Sequence, residues 1–127
     1  MRTLVYPARF EPGDKPGVLV ITFRDFSAAI TQGNGEKDAL WQATDCLEEA
    51  IAGRIAGGQA ILKASRAARG ERPIPVPASM AAKAALYLAM KEVRRMLDPR
   101  HPTKLPRIKE ALDVFGKSLV VSVKGAA

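Results

Sequence analysis

One cysteine and one histidine are all that 127 residues supply of the side chains most used for disulfides and zinc. Cys46 alone cannot close an intramolecular disulfide, and a lone thiol fits a reducing cytoplasm. Cys46 and His101 together would leave a Cys/His zinc site short of ligands. No apolar run approaches the roughly 18 to 20 residues that span a bilayer, and Met1–Phe10 lacks a signal peptide's apolar stretch, so no membrane association is expected. Neither GxxxxGK nor GxGxxG occurs, which removes the usual phosphate-cradling loops. These absences speak against most enzyme templates, and the residues call for neither a metal nor a cofactor. The length allows one domain or at most two very small ones, and 47% hydrophobic with 26% charged residues is the composition of an ordinary globular chain.

What the chain has in excess is positive charge, and it is unevenly placed. Residues 1–57 carry six Lys/Arg against eight Asp/Glu (−2), and residues 58–127 carry fourteen against five (+9), which together give the net +7. An acidic first half joined to a basic second half suggests two tasks with two partners. A basic surface often meets phosphate, because each Lys or Arg that neutralises one releases condensed counterions. A solvated face that merely keeps the protein soluble explains the same charge.

The opening Thr3–Phe10 is rich in β-formers, but Pro7 cannot donate to a ladder, so this strand is expected at a sheet edge or at a bulge. A turn-dense Glu11–Gly17 and a second strand Val18–Phe23 complete an antiparallel hairpin. A third strand, Ala28–Gln32, stops at Gly33-Asn34-Gly35, where Asn34 or Gly35 caps a helix from about Glu36 to Arg54. Leu40, Ala43, Leu47 and Ile51 form its apolar stripe, with Asp38, Asp45, Glu48 and Glu49 lying away from it. Trp41 flanks the stripe, either as an aromatic at the edge of the core or as an exposed anchor for a partner. Residues 57–72 are less regular and basic, and Pro73–Pro77 reads as a short edge strand. Ser79 is a good N-cap for a helix from Met80 that continues through Val93–Leu97 until Pro99. A loop, a helix from about Pro106 to Phe115 ending at Gly116, and a last strand Leu119–Val123 follow. The fold class is α+β: a small antiparallel sheet with one packed helix, then a mainly helical C-terminal region with a terminal strand.

A catalytic reading has to come from carboxylates. A sheet with a packed helix suggests nuclease-like folds, in which clustered carboxylates hold Mg²⁺ at strand ends. Here the first strand carries no Asp or Glu between Thr3 and Phe10, Asp25 follows the second strand, and Glu36 and Asp38 sit where a helix start already favours acids. No orienting partner for His101 as a general base is visible, so it reads as a surface residue near phosphate. Cys46 projects near the apolar stripe and reads as a small buried hydrophobe. The basic residues say more: Arg94 and Arg95 on one short helix, Arg100 and Lys104 in the loop after it, Arg107 and Lys109 on the next helix. That is the layout of a DNA-reading element, in which helix side chains reach base edges and loop groups hold phosphates.

Taken in order, Tyr6-Pro-Ala-Arg-Phe10, Val18–Phe23, Ile30-Thr-Gln-Gly33 and the helix with Ala39-Leu40 and Leu47-Glu48-Glu49-Ala50 resemble the HicB antitoxin family. Ile74-Pro-Val-Pro77 and Ala81-Ala-Lys-Ala-Ala-Leu-Tyr87 resemble its fourth strand and the opening of its helix-turn-helix subtype. Val93–His101 resembles that subtype's reading helix and loop, and Leu105–Gly116 with Leu119–Val123 its closing helix and strand. The resemblance implies a type II toxin–antitoxin component without enzymatic activity. Residues 1–77 would form a partial RNase H-like domain that binds a small HicA-type toxin, an mRNA interferase with a double-stranded-RNA-binding-like fold, and masks its catalytic histidine. Residues 78–127 would bind operator DNA, usually as a homodimer or higher homo-oligomer, and repress the operon. On this reading the toxin surface is Glu36, Asp38, Trp41, Asp45, Glu48 and Glu49, and the DNA surface is Arg94, Arg95, Arg100, His101, Lys104 and Arg107. The acidic half suits a basic RNA-cleaving partner and the basic half suits DNA.

One departure stands out. The subtype places a turn and another helix between its Ala-rich helix and its arginine helix, whereas Met90-Lys91-Glu92 runs straight into Val93-Arg94. Some 15 to 20 residues, about one helix-turn unit, have no counterpart there. A chain lacking them makes Met80–Leu97 one long helix and puts its DNA binding in question; a disordered stretch between Glu92 and Val93 would leave the motif intact and mobile without DNA. Two other functions fit parts of the pattern: an orphan DNA-binding regulator without a toxin, and an RNA-binding or residual nuclease domain that uses Asp25.

Overall fold

The structure is a computed structural model and describes residues 4–114. Contacts divide the chain after Tyr87 into two compact units. In the first, strands β1 (Val5–Pro12), β2 (Val18–Phe23) and β3 (Phe26–Asn34) are followed by helix α1 (Gly35–Ala56), strand β4 (Glu71–Pro75) and the opening turns of helix α2 (Ala78–Leu97). The four strands form one sheet, ordered β3-β2-β1-β4 and antiparallel at every pairing. This is the expected α+β class, and the hairpin and the edge position of β4 are as the sequence indicates.

β1, however, is central, and Pro7 is neither at an edge nor in a bulge. The reason lies in which way each proline nitrogen points. Val76 N–H donates to the Leu4 carbonyl, so Leu4 and Val76 are a hydrogen-bonded pair, and alternation makes Pro7↔Pro73 and Val5↔Pro75 non-bonded pairs. The nitrogens of Pro73 and Pro75 therefore face away from the ladder, toward solvent. That of Pro7 faces the β2 side one residue past the last pair, Ala8↔Phe23. Three prolines are accommodated without removing a ladder bond.

One sheet face carries Tyr6, Ala8, Ile21, Phe23 and Ile74, and α1 lies on it with Ala39, Ala43, Leu47 and Ile51 buried. The stripe thus starts at Ala39, not Leu40, which is 38% exposed. The cause is the close approach of β3 to α1: a Cβ on Gly33 would stand 2.6 Å from the Ala39 N and Cα atoms. Gly35, at φ +81°, turns the chain from β3 into α1 and donates 2.7 Å to the Gly17 carbonyl. Asp38 reaches back to accept the Asn34 N–H at 2.7 Å, while the Asn34 side chain itself makes no capping bond. Tyr6 is fully buried, its ring edge-on to Phe26 at 4.9 Å and its hydroxyl donating 2.7 Å to the Leu62 carbonyl. Burial, and then Asp25, push its phenol above the ordinary range. Each large buried side chain here contributes about 1.5–3 kcal/mol.

The irregular 57–70 connection is pinned to the β2–β3 turn. Ser65 donates through its N–H (2.8 Å) and its hydroxyl (2.6 Å) to the Asp25 carboxylate. Arg24 donates to the Arg66 carbonyl (2.6 Å) and to Glu71 (3.0 Å). Ala81 and Ala84 of α2 complete the same core. Ser79 falls inside α2 rather than capping it; the first bond there runs from Ala81 N–H to the Pro77 carbonyl.

In the second unit α2 continues without a break through Glu92 and Val93 to Leu97, and helix α3 (Leu105–Val114) follows a short loop. The continuous α2 is the arrangement expected of a chain lacking the extra helix-turn unit. Phe115, Gly116 and the expected strand Leu119–Val123 lie outside the described residues. Among the described residues, no helix is long and apolar enough to cross a membrane.

Candidate binding surfaces

The buried stripe of α1 dictates what its other side presents. At 100° per residue, Trp41, Asp45 and Glu48 project opposite Ala43, with Asp38 and Glu49 beside them. Trp41 is 63% exposed, so it is the protruding aromatic of this face and not part of the core edge. A large exposed ring amid three exposed or half-buried carboxylates, Asp45, Glu48 and Glu49, can bury area against a partner while the acids select a basic one. Asp38 shares the face, with one oxygen committed to the Asn34 N–H. Glu36 stands apart: it turns toward the sheet and pairs with Arg72, whose guanidinium lies 4.9 Å over the Phe10 ring.

Sequence reasoning did not single out the flank of this helix. Between α1 and β3 runs a groove of about 560 Å³, lined by Phe26–Ile30 on one side and by Cys46, Glu49, Ala50, Gly53 and Arg54 on the other. Ile30 stands 62% exposed at its rim. Arg54 is committed internally, donating 3.0 Å to the Ala60 carbonyl and sitting 5.4 Å over the Phe26 ring. Cys46 is half-buried against the core, and its thiol is pushed up by burial first and by Glu49 and Asp45 next. The available signal was compositional: Phe26–Asn34 contains no charge and no proline.

In the second unit the basic residues divide into paired and unpaired. Arg95 donates 2.8 Å to Glu92, and Arg107 reaches the same Glu92 at 3.4 Å and Glu110 at 3.4 Å. These hydrogen bonds, that of Arg95 foremost, hold the Glu92 carboxyl below its ordinary range. Arg100 folds onto Asp98 at 3.2 Å and lowers that carboxyl likewise. His101 Nδ1 lies 2.9 Å from the Thr103 hydroxyl. Arg94 and Lys104 are exposed, and neither makes an ion pair among the described residues. Arg94 and Arg95 lie near the end of α2 and Arg107 on α3, with Arg100, His101 and Lys104 in the loop between, so the six sequence candidates fall on one helix-loop-helix segment.

The carboxylate required by a nuclease reading is already engaged: both oxygens of Asp25 accept hydrogen bonds from Ser65. Among the described residues, no three of His, Cys, Asp and Glu are grouped so as to hold a metal ion.

Residues 5–85 match the family model described as a HicB-like antitoxin of bacterial toxin–antitoxin systems. Two proteins of Photorhabdus laumondii subsp. laumondii are similar along nearly their whole length. "Antitoxin HicB 2" is 31% identical over 136 positions, covering 93% of this chain and 95% of that protein. "Antitoxin HicB 1" is 26% identical over 142 positions, covering 98% and 90%. Because 93% of 127 residues is about 118, about 18 of the 136 positions hold no residue of this chain.

Proposed function

Because the chain belongs to the HicB-like antitoxins of bacterial toxin–antitoxin systems, we propose that it neutralises a small HicA-type mRNA-cleaving toxin in the cytoplasm by covering it, and that it represses its own operon by binding operator DNA. Residues 1–77, a partial RNase H-like domain on this reading, supply the toxin surface, and residues 78–127 supply DNA contacts and dimerisation. The observation that carries the toxin assignment is Trp41, 63% exposed within the acidic outer face of α1. An enzyme that cleaves RNA must itself bind polyanion and is basic around its active site, so an acidic face with an aromatic anchor complements it. The mechanism is steric: the antitoxin needs no reactive group, only enough buried area to keep RNA out. Asp45, Glu48 and Glu49 steer the encounter, Trp41 anchors it, and Asp38 and Glu36 lie at the helix start.

Of the six candidates for DNA, Arg94 and Lys104 supply the unpaired charge, and Arg95, Arg100, His101 and Arg107 border them. Met90, Val93 and Leu97 recur at spacings of three and four on α2, which supports a helical dimer seam. The 18 or so positions without a counterpart fit a shortened helix-turn-helix around Glu92–Val93, with α2 continuous as its consequence.

The test is co-expression with the small reading frame that adjoins the gene, followed by mass determination of any purified complex. A stable complex together with rescue from the neighbour's toxicity is the expected result. Absence of both, with tight salt-dependent binding to the gene's own promoter, would move the protein to the orphan-regulator class. Charge reversal at Glu48 and Glu49 that leaves toxin affinity unchanged would remove the acidic face from the interface.

A further inference from the structure

The two edges of the sheet are built differently. On β4 the nitrogens of Pro73 and Pro75 point outward, so two of the donors an added strand would need are missing. The other edge, β3, has no such protection. Gly35 N–H bonds to the Gly17 carbonyl, which makes Gly17 and Gly35 a hydrogen-bonded pair. By alternation, Val20↔Gln32 and Thr22↔Ile30 are then non-bonded pairs. The N–H and C=O groups of Ile30 and Gln32 consequently point away from β2, out of the sheet, and no described strand pairs with them. Asn34, next in the same phase, has its N–H taken by Asp38. Natural sheets blunt such edges with charge, proline or a bulge. Phe26–Asn34 carries neither charge nor proline, and its register irregularity, between the pairs Phe23↔Phe26 and Thr22↔Ile30, ends at Ile30 and leaves Ile30–Gln32 in regular pairing.

We propose that β3 is a docking edge, at which the toxin adds a β-strand along Ile30–Gln32 and seats its side chains in the groove between β3 and α1. This rests on the antitoxin reading and adds the mode of binding. The occupant follows from charge. The groove wall presents Glu49, which makes no ion pair among the described residues, while Arg54 is spent on Ala60 and Phe26. Gly35–Ala56 carries five acids against two bases. A second copy paired through β3 would set two such helices side by side and repel, whereas a strand flanked by Lys or Arg is attracted. Main-chain bonds supply affinity in this mode, and pockets for alternate side chains supply specificity.

The test removes one outward N–H and leaves the β2 ladder intact. Gln32→Pro does this, with Gln32→Ala as the control for the side chain, and the probe is the protein encoded by the adjoining reading frame. Gln32→Pro is expected to weaken that binding roughly 10- to 100-fold, with Gln32→Ala near wild type. Amide exchange at Ile30 and Gln32 is expected to be fast in the free full-length chain and slow in the complex, a readout that stands even if the proline variant fails to fold. Equal toxin binding by Gln32→Pro and wild type overturns the edge and leaves the antitoxin reading standing. Slow exchange in the free chain also overturns it, because the edge is then covered by this chain or a second copy. Failure of the wild type to bind the neighbour at all overturns both.

Discussion

Replacing Trp41 with alanine should separate binding from folding, and both magnitudes follow from where the ring sits. At 63% exposure on the side of α1 opposite the core, the ring gives up little packing when removed. Alanine also favours a helix more than tryptophan does. Stability should therefore stay within about 0.5 kcal/mol of wild type. If the ring anchors the toxin, its loss costs about 2 kcal/mol or more of binding, close to a 30-fold rise in Kd. Leu47→Ala on the opposite face is the contrast: Leu47 is fully buried, and truncation should cost about 2–5 kcal/mol of folding. Isothermal titration with the toxin and a thermal melt on each variant read both quantities. A Trp41→Ala protein that binds like wild type, or that melts as low as Leu47→Ala, would refute the reasoning.

Gly33→Ala drives a methyl group into the α1 backbone at Ala39, which cannot swing aside as a side chain could, so denaturant unfolding should show a loss of about 1–3 kcal/mol. Arg94→Ala should weaken operator binding on all sequences alike and lower the salt slope by about one, while Arg107→Ala should act first on its ion pairs with Glu92 of α2 and Glu110 of α3 and change the slope less; equal slopes for the two would contradict that division. The Tyr6 hydroxyl and the Cys46 thiol both titrate higher in the fold than in an unfolded chain, where the ordinary values are 10.0 and 9.0. Their contribution is whole below those values and is lost as pH rises through the raised ones, so melts should drop from about pH 9 upward, and less steeply in Tyr6→Phe.

Much of the first unit was legible because its period signals are strong: three strands, a 22-residue helix and a proline-rich strand stand where alternation, turn residues and spacing put them. The errors share one physical source, which is that sequence patterns report local preference and not the direction of a neighbour. Pro7 looked like an edge residue because the rule counts a missing donor, yet whether that donor matters depends on which strand its nitrogen faces. The buried stripe shifted from Leu40 to Ala39 because only a small residue fits where Gly33 brings β3 against α1. Trp41 could be read either way from helical projection; the completed core on the opposite face decides it. The open β3 edge was least legible of all, since being an edge is a property of the whole sheet.

The basic half shows the same limit in electrostatics. Counting side chains from 88 to 114 gives seven Lys/Arg against four Asp/Glu. The fold spends Arg95 and Arg107 on Glu92, and Arg100 on Asp98. Exposed pairs like these are individually weak and could open onto a phosphate. The acid left beside each cation would then repel the same phosphate, so a paired arginine counts for less than a free one. If Arg94 and Lys104 carry most of the contact, the slope of log K against log salt is about −1.8 per chain and about −3.6 for a dimer. All five cations Arg94, Arg95, Arg100, Lys104 and Arg107 acting together would give about −4.5 per chain. On the proposed operator-binding reading, a second unit that pairs Arg95, Arg100 and Arg107 internally holds DNA more weakly than its charge count suggests. On that reading, operator occupancy is expected to need a second copy that brings enough free cations to one duplex.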